Sequence, residues 1–202
     1  MGTNPSSFKG STHPVENVSW CDAVLFCNRL SALEGLEPCY ELPEPFKNDN
    51  CWSQKVVWNR SANGYRLPTE AEWEYCARGG ESHLYSGSDN IDEVAWYRKN
   101  SDTGNGTETH GVGQKKANGF ELYDMSGNVF EWVWNTWRDY EKGDVTESSI
   151  DDSSPIRVFR GGGLDRNACL SRVSYRRGYG ASYYNYDQGF RILRTIPITA
   201  LP

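Results

Sequence analysis

The most regular hydrophobic pattern in the chain begins at Val129. From there to Thr136, large apolar side chains alternate with smaller or polar ones, which is the two-residue period of a β-strand. The large members on one face are Phe130, Trp132 and Trp134. Because successive positions on that face are aromatic, we expect the strand to lie in the core. Glu131 is then a lone acid on the other face and needs a partner.

Two further segments have the periodicity of helices. The first begins at an N-cap, Ser19, and ends at Gly35, with apolar positions at helical spacing between them. The second is predicted over residues 68–78, with Pro68 at its first position. These are the two main helices that the sequence predicts.

The remaining regular structure is predicted to be short. We expect strands at Ile156–Arg160 and at residues 189–194, and a hairpin around residues 52–58. Residues 163–187 form an irregular stretch between two strands. A loop of this length in a compact domain is usually functional or disordered.

Composition narrows the class of protein. A chain of 202 residues fits one domain, residues 1–202. Its 13% aromatic residues, eight Trp and 20 Gly favour a loop-rich domain with little regular structure and a core of a few large rings. The net charge of −6 provides no basic surface for nucleic acid. No apolar run approaches the ~20 residues that cross a bilayer, so we expect no membrane span.

The six cysteines form no CxxC pair, which argues against a zinc ribbon or a thioredoxin-like centre. Cys39 and Cys51 flank a polar loop and could pair in an oxidising compartment, a point that the sequence leaves open. Cys21, Cys27 and Cys76 lie on helical patterns and are typical of small buried apolar residues.

A turn directly before the central strand has the oxygen atoms for a cation site. The carboxylates of Asp124 and Glu131 and the carbonyls of Gly127 and Val129 are able to point at one spot, and hard cations such as calcium prefer such oxygens. The alternative is that Asp124 caps the turn and that Glu131 forms a salt bridge.

Three segments together resemble a known family. They are residues 64–75 (GYRLPTEAEWEY), residues 122–132 (LYDMSGNVFEW), and the Arg160-Gly-Gly and Gly189-Phe-Arg pair. In this order they resemble the formylglycine-generating-enzyme, or sulfatase-modifying factor, domain, over nearly all of the chain. The opening residues resemble a passage inside that domain. We therefore expect the family's first strands to be missing or to lie outside this sequence.

The resemblance implies an α+β, C-type-lectin-like fold with a small twisted antiparallel sheet, two main helices and much ordered coil. It also strengthens the calcium prediction, since family members often hold calcium through positions that match Asp124, Gly127, Val129 and Glu131. Calcium is thus the one cofactor we expect, in a structural role.

The resemblance does not extend to the oxidase chemistry of the family. Its oxidases bind copper(I) with two cysteines, at the seventh and twelfth positions when the arginine of Arg-Gly-Gly is counted as first. Here those positions are Arg166 and Ser171, and Cys169 alone lies nearby. Because one thiolate cannot form a two-thiolate centre, we expect no copper and no catalysis. An oxidase that uses Cys169 with an unforeseen second ligand is the alternative.

Residues 163–187 instead have the composition of a binding surface. Five of the twelve tyrosines lie there, among Gly, Ser, Asn, Asp and Arg, as in antibody paratopes. Some of these tyrosines are expected to complete the aromatic core. Tyr183, Tyr184 and Tyr186 are too closely spaced for all of them to do so.

The same window lacks five residue types. Lys, Glu, Gln, Trp and Met make up 35 of the 202 residues, so about four are expected in 25 residues, and none occurs. An Asn codon, which ends in a pyrimidine, cannot be converted into a codon for any of these five residue types by changing only its two adenines. The window thereby resembles the variable repeat of proteins that diversity-generating retroelements mutate at adenines, with chance depletion as the alternative.

We therefore predict a non-catalytic protein that binds a protein or cell-surface ligand through residues 163–187. The predicted contact positions are Leu164, Asp165, Arg166, Cys169, Leu170, Tyr175, Arg177, Tyr179, Tyr183, Tyr184, Tyr186 and Asp187. A structural or accessory domain with no ligand in this loop is a further alternative. We expect a monomer, displayed outside the cell or on a cell or virion surface if a signal or anchor precedes the sequence.

Overall fold

A computed structural model describes residues 3–47, 51, 53–139 and 154–195 of the chain. The helices are α1 (Trp20–Leu33), α2 (Glu70–Arg78), α3 (Ile91–Val94) and α4 (Arg98–Ser101), with a 3-10 helix at Ala168–Ser171. The strands are β1 (Tyr40–Glu41), β2 (Val57–Trp58), β3 (Tyr65–Arg66), β4 (Phe130–Thr136), β5 (Ile156–Arg160), β6 (Arg176–Gly180), β7 (Gln188–Phe190) and β8 (Leu193–Arg194).

The main sheet has four strands in the order β6-β5-β4-β7. Strands β4, β5 and β6 are antiparallel neighbours, whereas β7 pairs with β4 in parallel. Two small antiparallel pairs, β1–β2 and β3–β8, lie apart from it. The α+β class is as predicted. The parallel edge differs from the expected all-antiparallel sheet, because a crossover of seven residues returns the chain from β6 to the far side of β4.

The first helix begins as predicted. The Ser19 hydroxyl accepts a hydrogen bond from the Asp22 N–H at 3.1 Å, and the Asp22 carboxylate accepts one from the Ser19 N–H at 3.0 Å. This reciprocal pair satisfies two of the N–H groups that a helix start leaves free. Gly35 follows the last turn with φ of 68°.

The second helix begins two residues later than predicted. Thr69 rather than Pro68 precedes the first turn, and its hydroxyl accepts from the Glu72 N–H at 3.2 Å. The Pro68 carbonyl accepts from the Trp134 N–H at 2.8 Å, so the proline belongs to the extended segment beside β4. A threonine cap satisfies an N–H group, which a proline cannot do.

The central strand separates two apolar clusters. On one face, Phe130, Trp132 and Trp134 are at most 2% exposed and pack against α1. The Trp132 indole N–H donates to the Val18 carbonyl at 2.9 Å, and the Trp20 indole N–H donates to the Val133 carbonyl at 3.0 Å. The predicted aromatic core face is therefore present, with the indole N–H of both tryptophans satisfied.

On the opposite face the sheet packs against α2. Trp73 lies in one cluster with Val133 and Val158. Two acids of α2 clamp the sheet: Glu74 pairs with the buried Arg160, and Glu70 accepts two hydrogen bonds from Arg176, each of 2.7 Å. Through these contacts, Glu70 and Glu74 of α2 hold β5 and β6 in place.

Several local predictions are wrong, including the irregular path predicted for residues 163–187, which contain the 3-10 helix and β6. The hairpin predicted around residues 52–58 is absent from the part of that range that the structure describes, 53–58; β2 pairs instead with β1, where Trp58 aligns with the buried Tyr40. Cys51 is bridged to Cys21 rather than to Cys39, which is buried and free. The predicted final strand is split into β7 and β8, which belong to different sheets. Within the described parts of the chain, every helix is too short or too polar to cross a bilayer.

Candidate functional site

The 163–187 segment is attached to the rest of the protein through its main chain. Three of its N–H groups donate to carbonyls outside the segment, at 2.8 to 3.0 Å: Leu164 to Asn128, Val173 to Leu84, and Ala181 to Pro155. Carbonyls of the segment also accept from N–H groups outside it: Arg166 from Arg98 and Asn185 from Asn17 at 3.1 Å, and Asp187 from Phe130 at 2.7 Å. These contacts do not depend on which side chains the segment carries.

A charged cluster joins the two ends of the segment. The Arg166 guanidinium contacts the Asp187 carboxylate at 2.6 and 2.9 Å and the Asp165 carboxylate at 2.9 Å. Asp187 is 1% exposed, and burial raises its pKa although the guanidinium opposes that change. Arg166 therefore neutralises a carboxylate that is out of reach of water.

Tyr186 extends this cluster. Its hydroxyl donates to the second oxygen of Asp165 at 2.7 Å, and this hydrogen bond, with burial, raises the pKa of Tyr186 to about 12. The Tyr186 ring meets Phe8 edge-on at 6.3 Å. Most of Tyr186 is thus fixed by contacts within the protein.

A ring stack connects the core to the surface. Tyr179 lies parallel to the buried Phe159 at 5.7 Å, and Tyr183 lies on Tyr179 at 4.3 Å. The Arg177 guanidinium donates to the Tyr179 hydroxyl at 3.1 Å. Tyr183 is 36% exposed and the neighbouring Tyr184 is 64% exposed, so the outer end of the stack faces solvent.

The predicted contact residues divide into exposed and buried groups. Cys169, Tyr183 and Tyr184 are exposed. Partial exposure is found for Asp165, Arg166, Leu170, Tyr175, Arg177, Tyr179 and Tyr186. Leu164 is fully buried and Asp187 is 1% exposed, so the prediction that these two contact a ligand directly is wrong: one packs inward and the other pairs with Arg166.

Two residues outside the segment contact it, and these contacts were not predicted from the sequence. Arg98 donates from its side chain to the Asp165 carbonyl at 2.7 Å, and Phe8 packs on Tyr186. No sequence pattern indicates Arg98. Phe8 lies in the opening residues that contribute to the family resemblance, but nothing there indicates a contact 178 positions away.

The two positions that match the oxidase cysteines hold other chemistry. Arg166 is engaged with two aspartates, and Ser171 is fully buried, with a hydroxyl that lacks a hydrogen-bond partner among the described residues. Cys169 lies nearby and is exposed. Among the described residues, no three His, Cys, Asp or Glu side chains gather as metal ligands.

Three of the four predicted calcium residues line one pocket. Asp124, Val129 and Glu131 line it together with Arg191. Gly127 lies against the main chain of Trp96, where a Cβ would be 2.3 Å from the Trp96 carbonyl oxygen. The turn therefore requires glycine at this position.

The two carboxylates of this pocket differ in their suitability for a cation. One oxygen of Asp124 accepts from the Gly113 N–H at 2.7 Å, and the other is buried without a partner among the described residues; burial raises the pKa of Asp124. Both oxygens of Glu131 are engaged, by Arg191 at 2.7 and 2.8 Å and by the Trp73 indole at 2.7 Å. Asp124 fits a calcium ligand, whereas Glu131 forms the salt bridge that the sequence left as the alternative.

Comparison with known proteins identifies what the chain is similar to. Residues 1–196 match the family described as sulfatase-modifying factor enzyme 1-like domain. A solved structure of Treponema denticola variable protein 1 superposes with a TM-score of 0.86 at 36% identity, covering 95% of this chain and 77% of that one. This match confirms the C-type-lectin-like fold and the resemblance to variable proteins.

Of two further relatives, one is named as a chaperone and the other as an enzyme. A Paenibacillus barcinonensis protein named chaperone protein LppX is 42% identical over 96% of this chain and 74% of the relative. The formylglycine-generating enzyme of Mycobacterium tuberculosis is 38% identical over 47% of this chain, and the alignment spans about a third of the enzyme, 34%. The alignment with this bacterial enzyme is thus shorter than the alignments with the other two proteins.

Proposed function

This chain belongs to the family of sulfatase-modifying factor enzyme 1-like domains, and on that premise we propose that it is a non-catalytic ligand-binding protein. The 163–187 segment is its binding surface, and the ligand is a protein or a component of a cell surface. The similarity to a variable protein and to a protein named as a chaperone supports a protein ligand.

One observation carries this proposal, namely the position of Tyr183 and Tyr184. They are 36% and 64% exposed, and Tyr183 is the outer ring of a stack that begins in the core. A tyrosine that is held in place loses little conformational entropy when a partner covers it, so it contributes more to affinity. Buried aromatic anchors are the usual centres of binding energy at interfaces.

The cluster around Arg166 supports the same function. Four side chains, Asp165, Arg166, Tyr186 and Asp187, contact one another at the place where an oxidase of this family has its first copper-binding cysteine. A soft cation would have to displace a guanidinium there. The cluster instead stiffens the segment that displays the tyrosines.

A binding experiment tests the function. The probe is an array of purified ectodomains of cell-surface proteins, screened with the wild-type chain and with Tyr183→Ser/Tyr184→Ser. We expect specific signals that fall at least tenfold in the double variant, because removal of two interface tyrosines costs a few kcal/mol. Leu33→Ser, which changes a residue 73% exposed in α1, is the matched control and is expected to keep them.

A copper experiment tests the oxidase alternative. The wild-type chain and Cys169→Ser are titrated with copper(I) and assayed for oxidation of a cysteine-containing peptide. We expect neither tight copper binding nor turnover. Turnover that is lost in Cys169→Ser would overturn the proposal.

We also propose that the 163–187 segment is the product of adenine-directed diversification. The absence of Lys, Glu, Gln, Trp and Met from this window supports it. The check is the DNA around the gene, where a near-copy of the coding segment beside a reverse transcriptase is expected. Finding that copy with differences at positions other than adenines would contradict the idea.

Calcium remains a proposal, carried by the unpartnered oxygen of Asp124. When bound, it would stabilise the turn before β4. A ligand at a hundred times its Kd adds about 2.7 kcal/mol to the free energy of unfolding. We therefore expect added calcium to raise the midpoint of thermal unfolding relative to excess chelator, and Asp124→Asn to abolish the difference.

A further inference from the structure

A second aromatic surface lies outside the 163–187 segment. Five aromatic side chains are exposed in the described parts of the chain, and two of these are Tyr183 and Tyr184. The other three are Tyr75, Phe120 and Tyr123, at 67%, 40% and 44% exposure. We call these three residues the Phe120 patch. The rings of Tyr75 and Phe120 lie 5.3 Å apart, and Tyr123 follows Phe120 by three residues in the chain.

The turn that displays Phe120 is firmly built. The Asn118 side chain is buried; its oxygen accepts from the N–H groups of Phe120 and Leu122 at 2.9 and 3.1 Å, and its NH₂ donates to the Cys76 carbonyl at 2.7 Å. Gly119 lies against the end of α2, where a Cβ would be 2.4 Å from the Gly79 carbonyl oxygen. Phe120 is thus exposed by a fixed turn rather than by a frayed end.

The surroundings of the Phe120 patch are acidic. Glu121 is exposed between two of its members and, with Tyr123, lines the pocket that Asp124 also lines; the cation of that pocket, Arg191, is paired with Glu131 at 2.7 Å. Glu81 lies on the other side, where its carboxylate accepts from the Gly119 N–H at 3.2 Å. The neighbouring cation Arg78 is already paired with Glu74 at 2.6 Å. The patch therefore presents aromatic rings together with two carboxylates that no described cation neutralises by an ion pair.

We propose that the Phe120 patch binds a cationic segment of a partner protein. A lysine or arginine side chain would lie over the Phe120 or Tyr75 ring, and Glu81 or Glu121 would pair with its charge. A cation over an aromatic face contributes about 0.5–1 kcal/mol at an exposed site and more once water is excluded. Nearby carboxylates increase both the affinity and the rate of association with a positive partner.

The sign of the charge selects this occupant over others. A second copy of the chain would bring the same acids to the contact, and like charges facing each other are unfavourable. Nucleic acid and anionic lipid carry the same sign as Glu81 and Glu121 and are disfavoured for the same reason. None of the patch residues belongs to the 163–187 segment, so a partner here is independent of the ligand proposed there.

The experiment uses a phage-displayed library of random 12-residue peptides selected on the full chain. We expect selected peptides to be enriched in Lys or Arg, and their affinity to fall about tenfold in Tyr75→Ala/Phe120→Ala and severalfold in Glu81→Gln/Glu121→Gln. Affinity should also fall as sodium chloride is raised, because exposed charges are screened. The controls are Leu33→Ala and Tyr183→Ala/Tyr184→Ala, which should leave these peptides bound.

Each other outcome overturns the inference in a recognisable way. Peptides that are lost in Tyr183→Ala/Tyr184→Ala but not in Tyr75→Ala/Phe120→Ala would leave the proposed function standing without a second site. Neutral or acidic peptides at the Phe120 patch, or no selected peptides, would remove the cationic partner. A dimer in sedimentation that Tyr75→Ala/Phe120→Ala abolishes would identify a second copy as the occupant.

Discussion

The aromatic residues of β4 and those of the 163–187 segment behave in opposite ways. Trp132 is fully buried and its indole N–H reaches the Val18 carbonyl, whereas Tyr184 is 64% exposed. Between these extremes, Tyr186 is partly exposed with its hydroxyl fixed by Asp165. The comparison shows that the number of rings does not decide where the core lies. Whether a ring is buried depends on the hydrogen-bond partner of its polar atom and on the direction in which the main chain orients the side chain.

The largest expected effect comes from removing a core ring. Trp132→Ala should lower the free energy of unfolding by about 3–5 kcal/mol, because it deletes a fully buried ring from a packed cluster. Tyr184→Ala should change it by no more than about 0.5 kcal/mol, as exposed substitutions do. Urea unfolding of the two variants measures the contrast. Equal losses would show that Tyr184 belongs to the core.

An intermediate effect is expected from the charged cluster. Arg166→Ala removes the guanidinium that pairs with the buried Asp187 and should cost about 2 kcal/mol at neutral pH. Arg172→Ala changes an exposed arginine in the same segment and is expected to be nearly neutral.

The effect of Arg166→Ala should depend on pH. Burial already raises the pKa of Asp187, and loss of the arginine raises it further. A carboxyl whose pKa is higher in the folded state than in the unfolded state destabilises the fold as pH rises above its unfolded value of about 3.9. The difference in unfolding free energy between variant and wild type should therefore be largest near pH 7 and shrink toward pH 4. A difference that does not vary with pH would contradict the role given to Asp187.

The smallest expected effect concerns a single hydroxyl. Tyr186→Phe should cost about 1 kcal/mol, since it removes one hydrogen bond to a carboxylate, whereas Tyr184→Phe should cost almost nothing. Difference absorbance between the wild type and Tyr186→Phe should show one phenol that ionises at about 12. Asp165→Asn should lower that value toward 10, the ordinary pKa of tyrosine. An unchanged titration would exclude the hydrogen bond.

Elements set by local patterns were predictable from the sequence. Ser19 and Asp22 cap α1 because a capping box needs only residues three apart, and the alternation from Phe130 to Trp134 identifies β4. The start of α2 was predicted two residues too early, because both Pro68 and Thr69 are typical of helix starts. Thr69 forms the cap.

Features that depend on contacts between distant residues were not predictable. Cys51 pairs with Cys21 across 30 positions, and proximity in sequence favoured Cys39 instead. Leu164 and Asp187 have the same local setting as the exposed members of their segment, so nothing local shows that they are buried. The sequence showed that Glu131 needs a partner. It could not show that the partner is Arg191, because that contact depends on how distant parts of the chain pack together.

The main-chain attachment of the 163–187 segment has a consequence for evolution. A segment that is fixed by amide groups keeps its path when its outward side chains are exchanged. Many sequences at Cys169, Tyr183 and Tyr184 can then share a single fold, whereas changes at Leu164 or Asp187 are removed by misfolding. An engineered library should therefore vary Cys169, Tyr183 and Tyr184 and leave Leu164 and Asp187 unchanged.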